Sequence, residues 1–125
     1  MSASYALAKG VLEHVTGTAS YATQQLFVSL HTASPGTTGA NEVSNATYSR
    51  VTTGAFGSVT TSICTNSSVL TFATDGNGET VSHAGLWHGL STGTFICGGA
   101  LSSAFSYNNA VTPVFDLGNL KLVVS

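Results

Sequence analysis

Short apolar stretches recur along this chain roughly every 10 residues, and Gly, Asn or Pro punctuates each interval. That spacing suits strands joined by tight turns and leaves little room for helices. Gln25–Thr32 alternates, with Leu26, Val28 and Leu30 on one face and Phe27, Ser29 and His31 on the other. Further strands are predicted at 48–53, with Tyr48, Arg50 and Thr52 on one side, and at Ser68–Thr74, with Leu70 and Phe72 facing away from Val69 and Thr71. Val81–His88 is nearly continuous in apolar and small residues, as in a buried central strand. Thr94–Leu101, 111–116 and 119–125 complete the set.

The turns between them have specific chemistry. Ser34-Pro35-Gly36 and Gly39-Ala40-Asn41 break the segment 33–47. Asp75-Gly76-Asn77-Gly78 holds two type I′ dipeptides, which predict a reversal between the strands on either side. Gly89 to Gly93 turns the chain again. One helix stands out at 4–15, where Tyr5, Ala8, Val11, Leu12 and Val15 share helical spacing, Ser4 can cap and Gly17 stops. Gly10 weakens it by about 1 kcal/mol relative to Ala, so it needs the body of its domain or a neighbouring subunit to pack on.

With no β/α alternation, the expected fold is mainly β: an antiparallel, jelly-roll-like β-sandwich with one short N-terminal helix. The chain is expected to be one domain, 1–125, with 1–24 as a helical arm.

Charge narrows the function classes. Only three Lys/Arg and five Asp/Glu occur in 125 residues, while Ser and Thr supply 17 and 18. Three cations cannot build a patch that neutralises nucleic-acid phosphates. Disorder would need low hydrophobicity with high net charge, and the net charge here is −2. No apolar run reaches the roughly 18 residues of a membrane helix. The N-terminus lacks the pattern of a signal peptide, so Cys64 and Cys97 are expected to be free, small and buried in a protein made in a host cytoplasm.

Several motifs resemble sites without the surroundings those sites require. Gly89-Leu90-Ser91-Thr92-Gly93 matches a nucleophile elbow, but a strand follows it and all four histidines precede Ser91; it reads as a hairpin turn. Asp75–Glu79 begins like a calcium loop, yet Thr80 and Leu86 stand where glycine and glutamate are needed. His83 and His88 are five apart and point to opposite faces of a strand, which does not suit a shared metal. Asn45-Ala46-Thr47 and Asn66-Ser67-Ser68 are sequons that mark loops. No catalytic, metal or cofactor site is expected, and the chain does not read as an enzyme. Glu42 and Arg50, two of only eight charges, lie near each other across a loop–strand junction and are expected to pin that loop.

Taken in order, Leu12–Val15, Leu26–Ala33, Pro35-Gly36, Gly39-Ala40-Asn41-Glu42-Val43-Ser44, Tyr48-Ser49-Arg50-Val51, Val81–Trp87 and Gly98–Leu101 resemble a family of small tailed-bacteriophage virion proteins. Its members are tail-fibre-like, and related β-rich proteins cement or decorate capsids. The resemblance implies a structural virion protein and no catalytic residues. A single domain without repeats suits a cement subunit on the capsid exterior that bridges major capsid subunits as a homotrimer. The alternative is a tail or receptor-contact module. Either role needs contacts with other chains, for which Phe56, Phe105 and Tyr107, read as aromatics in polar loops, are the candidate anchors. Neither nucleic acid nor membrane is an expected partner.

Overall fold

The computed structural model describes residues 2–3, 5–19, 25–45, 47–54, 56–57, 63–74, 77–108 and 112–123. Its elements are β1 (Ser2–Ala3), α1 (Tyr5–Thr16), β2 (Phe27–His31), β3 (Val51–Thr52), β4 (Ile63–Thr65), β5 (Leu70–Thr71), β6 (Asn77–His88), β7 (Thr94–Asn108), β8 (Val114–Phe115) and β9 (Lys121–Val123). The protein is mainly β; among the described residues there is one helix, and every strand pair is antiparallel.

Five strands form one sheet in the order β1-β7-β6-β2-β3, and β4-β9 and β5-β8 form two-stranded ribbons. Two ribbons therefore stand where a sandwich would place a second full sheet. Val28 and Leu30 of β2 lie opposite Leu86 and Ala84 of β6. They pack into one core with Leu70, Phe72 and Leu120 from the ribbon side and with Tyr107 of β7. Phe72 lies parallel to Tyr48 and edge-on to Phe115, which joins the β5-β8 ribbon to the loop before β3.

The central placement of β6 agrees with its apolar run. It also explains why β5 and β6, the strands on either side of the reversal predicted at Asp75–Gly78, do not pair with each other. β2 and β7 occupy both edges of β6, so β5 pairs instead with β8, Leu70 opposite Phe115. Asp75 and Gly76 lie outside the described residues.

β7 runs seven residues beyond its predicted end at Leu101. Val81 pairs with Phe105 and His83 with Ala100, so residues 101–104 bulge opposite Ser82 alone. The bulge interrupts the two-residue period and conceals the continuing strand. Phe105 and Tyr107 therefore lie on a strand and not in a loop. The predicted strand 48–53 shortens to Val51–Thr52, because Tyr48 and Arg50 turn toward Glu42.

Helix α1 ends in a Schellman motif: Gly17 has φ 77°, its N–H bonds to His14 O and the Thr18 N–H bonds to Glu13 O. Its predicted cap, Ser4, lies outside the described residues. Leu7 packs against the core, but Val11, Leu12 and Val15 are 49%, 64% and 76% exposed, so the apolar stripe faces outward. Neither cysteine is in a disulfide; Cys97 is buried, as expected, and Cys64 is only half-buried. Burial pushes the Cys97 thiol up to about 11.

Candidate functional site

The second face of β2 carries Ser29 and His31, and both are fully buried. The segment 33–50 covers them. Pro35 packs into the space left by Gly98, and Gly39 lies against the rings of Trp87 and Phe95. Asn41, with φ 64°, donates from its amide to Ser34 O and closes the loop on itself. Val43 N–H then bonds to Leu30 O and returns the loop to β2.

Arg50 is the centre of this face. Its Nε and Nη2 donate to the two Glu42 oxygens at 2.8 and 2.7 Å. Its Nη1 donates to Gly89 O and Thr92 O at the β6–β7 turn. The guanidinium lies 3.6 Å above the Trp87 ring centroid. Tyr48 Oη donates to Glu42 Oε2 and accepts from Leu30 N–H. Burial alone would raise the Glu42 pKa, but the Arg50 and Tyr48 hydrogen bonds and the Arg50 charge outweigh it and hold the carboxyl below its usual value. Burial, followed by the Glu42 carboxylate, pushes the Tyr48 hydroxyl far up.

A second chain of hydrogen bonds runs beside the first. Ala40 O can only accept, so His31 Nδ1, 2.7 Å away, carries a proton. The Nε2 of the neutral ring then accepts from the Ser29 hydroxyl at 2.7 Å, and Ser29 Oγ accepts from Trp87 Nε1–H. A Cβ on Gly85 would fall 2.7 Å from Ser29 Oγ and 2.9 Å from His31 Nε2, so only glycine fits there. Ser29 and His31 have the geometry of a nucleophile and its base. Both are sealed from solvent, however, and Trp87 caps the hydroxyl, so no substrate reaches them.

The structure thus brings Glu42 and Arg50 together and adds Ser29, His31, Tyr48 and Trp87, which sequence reasoning missed. The segments that carried the family resemblance, Gly39–Ser44 with Tyr48-Ser49-Arg50, are the ones that build this hub. Gly89–Gly93 forms the β6–β7 turn, with Ser91 exposed and two of its carbonyls bound to Arg50.

The proposed aromatic anchors fare differently. Tyr107 is fully buried, and its hydroxyl donates to Ala73 O, so it offers no surface to a partner. Phe105 and Phe56 are half-buried and pack against the core. Asn66, part of a sequon, is an internal strut: its amide bonds to Ser68 O and Asp116 O, and its Oδ1 accepts from Leu120 N–H. Among the described residues no three metal-ligating side chains gather, and no helix is long and apolar enough to cross a membrane.

On the opposite side of the sheet, a groove of about 620 Å³ opens between the β7 bulge and the ribbons. Leu30 and Phe115 contribute its apolar wall, with Ser102, Asn119 and Lys121 among the polar lining.

The family model described as Podophage GP4 fiber I protein gp80 matches residues 2–123. No curated protein matches the chain.

Proposed function

The chain belongs to this phage fibre-protein family, a structural virion protein of bacteriophage, and from that premise we propose that it is a fibre-like module of the tail. The match across 2–123 carries the reading, because the family's description names a fibre protein. The cement role on the capsid exterior, bridging major capsid subunits as a trimer, has no such support and becomes the second reading.

The residues fit a contact module without chemistry of its own. The Ser29–His31 pair is sealed, and the hub around Arg50 serves to fix an exposed loop on a rigid sheet. Thr37 and Thr38 at that loop's tip are exposed, between a buried Pro35 and the Trp87-packed Gly39. Binding surfaces are commonly loops held by a rigid scaffold, and preorganisation lowers the entropy lost on binding. The outward stripe of Val11, Leu12 and Val15 supports self-association, since an exposed apolar stripe at i, i+1 and i+4 suits a neighbouring copy.

Quantitative mass spectrometry of separated heads and tails tests this reading. Recovery with tails, at the copy number of a tail component, is expected. Recovery with heads at the copy number of a shell lattice would favour the cement role.

A further inference from the structure

We propose that His31 is an acid-sensitive latch: as a neutral ring it holds the 32–43 loop on the sheet, and on protonation it lets that loop lift. The inference rests on the direction of each hydrogen bond and does not depend on the fibre reading.

The neutral ring satisfies every donor and acceptor around it. Nδ1–H donates to Ala40 O in the loop, Nε2 accepts from Ser29, and Ser29 Oγ accepts from Trp87. A proton on Nε2 reverses that balance. Two N–H groups would then point at Ser29 Oγ, and the serine hydrogen would lose its acceptor. Water cannot reach the imidazolium while the loop is down, because His31 has no exposed surface. Burying an unpaired charge is costly, and hydrating this one requires the loop that covers it to move.

The charged surroundings act in both directions. Arg50 from the strand side and His83, opposite His31 on β6, oppose a positive ring. Glu42, bridged to His31 from the loop side, favours it, as does the Ala40 carbonyl. The Glu42 oxygens are already shared between Arg50 and Tyr48. Burial is the largest influence, and it favours the neutral ring.

The loop's other attachments lie at its base: Thr32 N–H bonds to Asn41 O, Val43 N–H bonds to Leu30 O, and Glu42 is held by Arg50. Gly39 and Ala40 N–H bond to Pro35 O within the loop and can travel with it. Release of Ala40 loosens the base bonds at Thr32 and Val43, while the ten register pairs of β6 and β7 do not involve the loop.

The test is hydrogen exchange and imidazole NMR on the full chain, uniformly 15N-labelled, across a pH series. The neutral Nδ1–H tautomer is expected at pH above the usual histidine value of 6.5. As pH falls below it, protection of the Thr32 and Val43 amides should drop by up to about tenfold per pH unit. The β6–β7 amides should stay protected, and the loop's midpoint should coincide with the His31 titration. H31N keeps a donor for Ala40 O and removes the titration, so its loop should become insensitive over this range, whereas H83N should behave as the parent chain. Three results would overturn the latch: loop protection that is unchanged while His31 charges, an Nε2–H tautomer, or a transition that persists in H31N. If H31N does not fold, coincidence of the two midpoints in the parent chain decides the matter alone.

Discussion

Arg50 and Trp87 are stacked, with the guanidinium carbon 3.6 Å from the ring centroid, and this contact joins the 33–50 segment to the centre of the sheet. The stack leaves the guanidinium edge free for Glu42 and for two carbonyls of the β6–β7 turn. One side chain thus ties the 33–50 segment to the end of β6 and to the β6–β7 turn, whose carbonyls lie 39 and 42 positions away in sequence.

Arg50→Ala should therefore destabilise the protein by about 3 kcal/mol, because it strands Glu42 and two turn carbonyls in a partly buried site. Arg50→Lys should recover only part of this, since an ammonium lacks both the fork and the planar stacking face. Urea unfolding of the three proteins checks both statements. Equal midpoints for Arg50→Ala and the parent would show that the pair does not pin the loop.

Two glycines of the same loop should respond differently to alanine. Both have positive φ, 59° at Gly36 and 80° at Gly39. A Cβ at Gly36 meets nothing within 4 Å, so the cost is the backbone strain alone, about 1–2 kcal/mol. A Cβ at Gly39 would run into the Trp87 ring as well, so Gly39→Ala should cost clearly more. Thermal unfolding orders the two, and it should also show a perturbed Trp87 fluorescence only for Gly39→Ala.

Asn66→Ala should rank with the Arg50 change, although Asn66 stands in what reads as an ordinary loop sequon. The substitution leaves the Leu120 N–H and Ser68 O without this partner and removes one of the two donors to Asp116 O, around a side chain that is 2% exposed. Each buried group left unpaired costs about 1–3 kcal/mol. Denaturant unfolding measures the loss.

These residues also show what was legible in the sequence. β6 could be read because its apolar run matches a strand buried on both faces. Glu42 and Arg50 could be paired because charges are so scarce here. Trp87, Ser29 and His31 could not be joined to them, since Trp87 reaches Ser29 across 58 positions and only the β2–β6 register aligns the two. The local signal that could have helped is Gly85, a glycine inside a central strand, which often marks a close approach. Tyr107 was misplaced because the bulge at 101–104 broke the period before it.

Acid should also act on the Glu42 carboxylate. The Glu42 pKa is depressed in the folded protein relative to its ordinary 4.5. Its contribution is therefore fully present above pH 4.5 and declines as pH falls toward and through the folded value. Glu42→Gln should flatten that part of the stability–pH curve and lower the stability above it, where the charged pair is intact in the parent. Unfolding midpoints measured from pH 7 downward test the sign.

The exposed stripe on α1 predicts a separation of folding from association. Replacing Leu12 and Val15 by serine should leave the unfolding midpoint close to the parent's, because both side chains are mostly in solvent. Self-association, followed by sedimentation over a concentration series, should weaken. A variant that associates as strongly as the parent would remove α1 from the interface.

The most direct test of the fibre reading is to locate the protein on the particle. Gold-labelled antibody fragments raised against the folded chain, applied to intact virions and viewed by electron microscopy, should decorate the tail. Label distributed over the head lattice would contradict the account and restore the cement role.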